Sequence, residues 1–117
     1  MRRDYRLYLD DILDAIKRIR DYVCGMDYKS FSSDMRTQDA VVRNLEIIGE
    51  ASRQLPAEIR EKVATIEWPK IMSLRNILVH EYFGVNLRII WDVVEHKLEP
   101  LAEACLELME KETEGYP

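Results

Sequence analysis

Three side chains that could take part in acid–base chemistry lie within eight consecutive positions of this sequence. Arg75, His80 and Tyr82 follow the pattern R-x4-H-x-Y, and Asn76 adds an amide beside the arginine. Histidine gains and loses a proton near neutral pH, whereas arginine stays charged and can hold two anionic oxygens at once. The pattern therefore indicates proton transfer beside a fixed positive charge.

Each of these residues also has an ordinary structural role. His80 could cap the carbonyls at a helix end, where the helix dipole favours a positive charge. Arg75 could form a salt bridge, and Tyr82 could be a half-buried aromatic ring. The spacing alone does not decide between these roles and a catalytic one.

The spacing also limits how the three residues can meet. On an ideal helix Arg75 and Tyr82 lie about 20° apart, whereas Arg75 and His80 lie about 140° apart. One straight helix therefore cannot bring all three together. Either the helix ends near His80, so that an extended step puts His80 and Tyr82 on one side, or a second copy of the chain completes the site across a two-fold axis.

The residues available as metal ligands are too scattered to form a site. The two histidines are sixteen positions apart, and Cys24 and Cys105 are distant from both. Structural and catalytic metal sites draw on closely spaced ligands. We therefore expect neither a metal nor another cofactor, and we assign His96 to the helical scaffold.

The elements that position the motif are all predicted to be helices. Apolar residues recur at steps of three and four, which indicates helices that bury one face. The four stripes are Tyr5, Leu9, Ile12, Ile16, Ile19 and Val23; Val41, Leu45, Ile48 and Leu55; Ile71, Leu74 and Leu78; and Leu87, Trp91, Val94, Leu98, Leu101, Cys105 and Leu108. We expect one all-α domain over residues 1–117, an up-and-down bundle of four main helices.

Turn residues and prolines set the predicted boundaries. Gly25 closes the first helix, the second begins near Asp34 or Thr37 and ends before Pro56, and residues 56–63 form a short extra helix. The pair Trp68-Pro69 marks the start of the third helix, which loses its pattern near His80 with Gly84 as its stop, and Asn86 caps the fourth. Pro100 interrupts that last stripe and predicts a kink or break, since a proline removes a helical hydrogen bond. Residues 110–117 are predicted to be a frayed tail, and Phe31 is predicted to fold back onto the core.

Charge neither supports nor excludes a nucleic-acid partner. The net charge is −5, but residues 91–117 hold eight acidic and two basic side chains, so the remainder of the chain is nearly balanced. No apolar run approaches the roughly 18 residues of a membrane span, and no signal-peptide core is visible. Cys24 and Cys105 both continue apolar helical stripes and are expected to be buried free thiols, as in a reducing cytoplasm.

Two longer segments resemble one known family. Residues 75–84, with the sequence RNILVHEYFG, look like the signature of the HepT-like toxins, a branch of the HEPN superfamily of helical ribonucleases. Residues 40–51, AVVRNLEIIGEA, resemble that family's second helix, and Trp68 and Trp91 stand where its tryptophans would. Within the second segment, Arg43 and Asn44 are expected either to be solvent-exposed or to place one side chain towards the motif.

The resemblance implies a function and a partner. It implies metal-independent RNA cleavage by Arg75 and His80, with Asn76 in support, through attack of a ribose 2′-hydroxyl. It also implies a toxin–antitoxin pair, in which a nucleotidyltransferase of the MntA type attaches AMP to Tyr82. We expect a homodimer whose two motifs face each other across a groove. The alternative is a non-catalytic helical module that binds a nucleotide or docks a nucleotidyltransferase, and a purely structural bundle would leave Arg75, Asn76 and His80 without a purpose.

Overall fold

The protein is an all-α bundle. The computed structural model describes the backbone of residues 4–80 and 86–114, and within these it leaves out the side chains of Arg75, of residues 77–80 and of residues 111–114. The helices are α1 (Tyr5–Val23), α2 (Tyr28–Ser32), α3 (Met35–Gln54), α4 (Ala57–Arg60), α5 (Trp68–His80), α6 (Leu87–Asp92) and α7 (Leu98–Glu114), with a 3-10 turn at Glu61–Val63 and a π-helical turn at Val93–Lys97. The described residues contain no strand.

The bundle is organised around α3, which packs against both α1 and α5. α7 packs against α1 from another side. The buried core comes from the apolar stripes that the sequence predicts, and its fully buried members include Leu9, Ile12, Ile16, Ile19, Val41, Leu45, Ile48, Leu101 and Leu108. The prediction of an all-α bundle with four long helical segments is confirmed, with α6, the π turn and α7 forming the fourth.

Polar side chains fix the helix starts as the sequence indicates. Asp34 caps α3 by accepting a hydrogen bond from the Thr37 amide at 3.0 Å, and Asn86 caps α6 by accepting one from the Arg88 amide at 2.8 Å. Such caps satisfy amide groups that have no partner within the helix. Gly25 follows α1 with a φ of 76°, the left-handed conformation that glycine adopts at a helix end.

The segment between α1 and α3 contains a helix that the sequence analysis did not predict. Asp27 and Ser30 form a capping box, with the Ser30 amide donating to the Asp27 carboxylate at 2.8 Å and the Asp27 amide donating to the Ser30 hydroxyl at 3.0 Å. The resulting helix, α2, buries Phe31 completely and stacks it against Trp91 of α6, with ring centroids 5.0 Å apart. The predicted burial of Phe31 is therefore confirmed.

The interruption that Pro100 predicts takes the form of a change in helix type. The helical path continues from Leu87 to Glu114, but Val93–Lys97 is a π turn. Proline cannot donate to the carbonyl four residues earlier, and its ring would clash with that carbonyl, which here belongs to His96. The wider π turn removes this conflict and lets the apolar stripe resume on the same core.

Two details differ from the expectations. Cys24 is exposed rather than buried, because α1 ends at Val23 and the chain leaves the helix at Cys24. The first part of the predicted tail is helical as far as Glu114, and residues 115–117 lie outside the described residues.

The outer face of α7 is acidic. Exposed glutamates recur along it at Glu99, Glu103, Glu107 and Glu110. Glu99 pairs with Arg20 of α1, where the ends of the two helices meet. None of the described helices combines the length and the apolar composition that crossing a membrane requires.

Candidate functional site

The described part of the motif lies towards the carboxyl end of α5. Arg75 and Asn76 are in the third turn of the helix, and His80 is its last described residue. Asn76 is exposed. Tyr82 and the predicted stop at Gly84 lie outside the described residues, as do the side chains of Arg75 and His80.

The first turn of α5 is held in place by Trp68. Its ring is 5% exposed, and the indole Nε1 donates a hydrogen bond to the Val63 carbonyl at 3.0 Å. Pro69 follows in the first turn, where a missing amide hydrogen costs nothing. The predicted helix boundary at Trp68-Pro69 is confirmed.

Arg60 of α4 braces the same end of the helix. Its Nε donates to the Leu55 carbonyl at 3.3 Å, and its Nη1 lies 3.1 Å from the Met72 sulfur. Ile71 and Leu74 pack against the core as predicted, while Leu78 falls among the side chains that are not described. These contacts therefore fix the first two turns of α5, which precede the motif.

The helical path fixes how the positions of Arg75 and His80 relate. Both belong to the uninterrupted helix α5, five residues apart. On an α-helix this separation corresponds to about 7.5 Å along the axis and about 140° around it. The two positions therefore lie on different sides of one helix.

The polar pair on α3 consists of one exposed side chain and one buried side chain. Arg43 is exposed, and its Nη1 lies 3.7 Å from Glu46 Oε2. Asn44, by contrast, is 5% exposed, and its Nδ2 donates to the Ala40 carbonyl at 2.9 Å. The Asn44 Oδ1 atom has no hydrogen-bond partner within the described part of the chain. The exposed interpretation is thus correct for Arg43 and wrong for Asn44, whose carboxamide is a buried polar group within α3.

His96 lies in the π turn of the fourth helical segment, and its side chain is 64% exposed. Its Nε2 lies 3.6 Å from Glu95 Oε2 and 3.9 Å from Asp92 Oδ1. The assignment of His96 to the helical scaffold stays a prediction.

Comparison with known proteins identifies the family. The pattern described as "Ribonuclease HepT-like" matches residues 12–108, which include α3, α5 and the motif. The chain belongs to the HepT-like ribonuclease family. The resemblance of residues 40–51 and 75–84 is therefore confirmed at the level of the family.

Named relatives agree with this placement. A protein of Thermococcus cleftensis named probable ribonuclease HepT is 38% identical over 101 residues, covering 86% of this chain and 92% of the relative. A protein of Shewanella oneidensis named mRNA nuclease HepT is 33% identical over 109 residues, covering 73% of this chain and 80% of the relative.

A longer relative shows that this family segment also occurs within larger proteins. The Methanocaldococcus jannaschii protein named gamma-glutamylcyclotransferase and putative RNase is 41% identical over 111 residues, which cover 95% of this chain. This chain spans half the length of that relative. No solved structure matches the chain significantly.

Proposed function

We propose that this chain is a metal-independent endoribonuclease that acts as the toxin of a toxin–antitoxin pair in the cytoplasm. The observation that supports the proposal most strongly is the match to a ribonuclease family over residues 12–108, a range that includes Arg75 and His80. The names of the relatives from Thermococcus cleftensis and Shewanella oneidensis support RNA as the substrate class.

The residue types suit cleavage by the RNA's own 2′-hydroxyl. His80 removes the proton from this hydroxyl, and the 2′-oxygen attacks the adjacent phosphorus. Arg75 binds the phosphate oxygens while negative charge builds up on them, and Asn76 helps to orient the phosphate. The bond from phosphorus to the 5′-oxygen breaks, and this oxygen takes up a proton. The products are a 2′,3′-cyclic phosphate and a 5′-hydroxyl end.

The active form is proposed to be a homodimer in which the motifs of the two copies face each other. The helical geometry of α5 supports this, because α5 stays helical to His80 and the positions of Arg75 and His80 lie about 140° apart on it. A second copy of the chain can supply the residue that the helix of the first copy directs away from the site. Sedimentation of the purified protein at micromolar concentration tests the point, and a monomer would contradict it.

Regulation is proposed to act through Tyr82. An MntA-type nucleotidyltransferase, the antitoxin, attaches AMP to its phenol oxygen. Tyr82 is two positions from His80, so the attached nucleotide would bring bulk and negative charge to the phosphate-binding groups. Steric block and like-charge repulsion would then both oppose RNA entry.

Incubation of the purified protein with end-labelled RNA in the presence of EDTA tests the central proposal. We expect cleavage that leaves a cyclic phosphate. We expect none from His80→Ala or Arg75→Ala, whose melting temperatures should stay within about 4 °C of the parent, because polar groups near a helix end carry little packing energy.

Arg43→Ala is the matched control for Arg75→Ala, since it removes an exposed arginine from a neighbouring helix and should cut normally. If the parent protein binds RNA without cutting it, the chain is a binding module rather than an enzyme. If His80→Ala cuts as fast as the parent, the catalytic assignment of His80 is wrong.

A further inference from the structure

A groove of about 250 Å³ separates the early turns of α5 from the π turn and the start of α7. We call it the α5–α7 groove. Its apolar lining comes from Ile66, Ile71, Leu74, Val93 and Leu101.

Two lysines and one glutamate line the rim of the groove, and the carboxylates of Glu95 and Asp92 lie beside the His96 imidazole without lining the groove. Lys70 and Lys97 line it together with Glu67 and His96. Lys70 Nζ lies 2.7 Å from Glu67 Oε2, so these two charges largely cancel. Lys97 is exposed and forms no ion pair within 4.0 Å in the part of the chain that the structure describes, although its charge helps to lower the pKa of the Glu67 carboxyl at longer range.

The π turn contains the charged residue Lys97 and its neighbour His96. His96 and Lys97 are its last two residues, and both are exposed beside the groove. A π turn in an otherwise α-helical segment is often found at a functional site. Pro100, which requires the altered helix geometry, itself lines the groove.

A second depression on the protein provides a contrast. It lies between α1 and α3, has a similar volume of about 280 Å³, and is lined by Asp11, Glu46 and Glu50 together with Arg43. Its acidic lining repels phosphate. A polyanion would therefore favour the α5–α7 groove over this depression.

We propose that the α5–α7 groove binds one nucleotide of the RNA strand, with the base on Ile71 and Leu74 and a phosphate on Lys97 and His96. The inference rests on the proposed function, which makes RNA the polymer bound at the motif. Apolar surface accepts the face of any base, and a neighbouring cation binds the phosphate, as in other single-strand sites.

Size and position support a nucleotide as the occupant. At about 250 Å³, the groove is slightly smaller than the roughly 300 Å³ at the lower end of small-ligand pockets, which limits its occupant to a small group. Leu74 in its lining directly precedes Arg75 in α5. A strand held at the motif therefore passes close to the groove.

His96 provides a direct reporter of binding. The chain has two histidines, so His80→Ala leaves His96 as the only one and also prevents cleavage under the proposed mechanism. The experiment titrates the His80→Ala protein with a short oligoadenylate RNA and follows the Cε1–H resonance of His96 by NMR. We expect a saturable shift of this resonance.

Charge reversal at the rim then tests whether the groove holds the phosphate. In the His80→Ala background, Lys97→Glu should weaken RNA binding about tenfold or more, the effect of losing one charge-assisted contact. Lys17→Glu, on the exposed side of α1, makes the same charge change away from the groove and should alter affinity far less. Lys97→Ala, a milder change, should weaken binding in the same direction if Lys97→Glu disturbs the fold.

Three outcomes would overturn the inference. One is RNA binding that leaves the His96 resonance unmoved, and another is an equal loss of affinity in Lys97→Glu and Lys17→Glu. The third is a change in sedimentation of Lys97→Glu with RNA affinity intact, which would make the groove a protein contact. If the protein binds RNA through the groove but does not cut it, only the proposed function is contradicted. If the protein cuts RNA without involving His96 or Lys97, only this inference is contradicted.

Discussion

The indole Nε1 of Trp68 donates a hydrogen bond to the main-chain carbonyl of Val63 across a distance of 3.0 Å, joining the start of α5 to the 3-10 turn before it. Both groups are buried, so water cannot replace the donor. Trp68→Phe removes this donor together with the five-membered ring of the indole. We expect a loss of at least about 1–3 kcal/mol in the free energy of unfolding, because a buried carbonyl is left without a partner and ring packing is lost as well.

Urea denaturation followed by circular dichroism measures this loss. Tyr22→Phe is a suitable control, because Tyr22 is an exposed aromatic residue on α1 and its hydroxyl lies outside the core. If Trp68→Phe has the same free energy of unfolding as the parent, the hydrogen bond makes no net contribution to the stability of the protein.

Tyr82 is predicted to control the enzyme rather than to catalyse its reaction. A tyrosine hydroxyl ordinarily has a pKa near 10, so it is a poor general base at neutral pH. Tyr82→Phe should therefore cut RNA nearly as fast as the parent, yet escape modification by the nucleotidyltransferase. In cells that carry the antitoxin this variant should be more toxic than the parent.

Intact-mass spectrometry after incubation with the nucleotidyltransferase and ATP measures the modification. The parent should gain the mass of AMP, and Tyr82→Phe should not. Tyr28→Phe, a tyrosine of α2 whose ring lies 4.2 Å beneath the Arg88 guanidinium carbon, should be modified like the parent. Modification and silencing of Tyr82→Phe as in the parent would place the switch at another residue.

The cap of α3 should make stability depend on pH in the acid range. Hydrogen bonds from the Thr37 amide and hydroxyl hold the pKa of the Asp34 carboxyl below its ordinary value of 3.8. Because the pKa is lower in the folded state, the stabilisation is fully present above the ordinary value and is lost as pH falls through the folded-state value. The advantage of the parent over Asp34→Ala should therefore be constant from neutral pH down to about 4 and shrink below it.

Thermal denaturation of the parent and of Asp34→Ala at a series of pH values tests this dependence. Asp34→Asn separates the two contributions, since asparagine can still cap a helix but does not titrate. A difference between the parent and Asp34→Ala that persists undiminished at the lowest pH would contradict the assignment.

The two thiols should differ sharply in reactivity. Cys24 is exposed at the end of α1, whereas Cys105 is fully buried in α7 and burial raises its pKa to about 12. The thiolate is the reactive form, so Cys105 is protected both by lack of access and by its protonation. A colorimetric thiol reagent at pH 8 should titrate one thiol in the native protein and both in denaturant. Cys24→Ser should leave no fast-reacting thiol, and rapid labelling of that variant would mean that α7 opens readily.

The main helices could be predicted because each long helix buries one regular stripe. In α1 the buried residues Leu9, Ile12, Ile16 and Ile19 keep steps of three and four, and only an α-helix brings such positions together. The Asp34 and Asn86 caps act through neighbouring amides, so they too are visible in a local sequence. A helix of five residues such as α2 is too short to show a period, so a search for apolar stripes does not reveal it.

Features that depend on packing between distant segments could not be predicted. The burial of Asn44 depends on how α3 sits among its neighbours, and its local sequence fits an exposed residue equally well. The α5–α7 groove joins residues near 70 with residues near 97, and the π turn that presents Lys97 breaks the α-helical period on which the sequence analysis relied. The motif was recognised from its residue types and its likeness to a family, whereas Tyr82 and the side chains of Arg75 and His80 lie outside the described residues.

The row of exposed glutamates on α7 would act on an RNA molecule before any contact forms. With a net charge of −5, the protein repels a distant polyanion, and the field of α7 disfavours encounters on that side. Added salt shortens the range of this repulsion, to about 8 Å at physiological ionic strength, while the contacts at Lys97 act at much closer range. The association rate with RNA should therefore rise with the first additions of salt and fall only when the local contacts are screened in turn, unlike the steady decline of a basic RNA-binding protein.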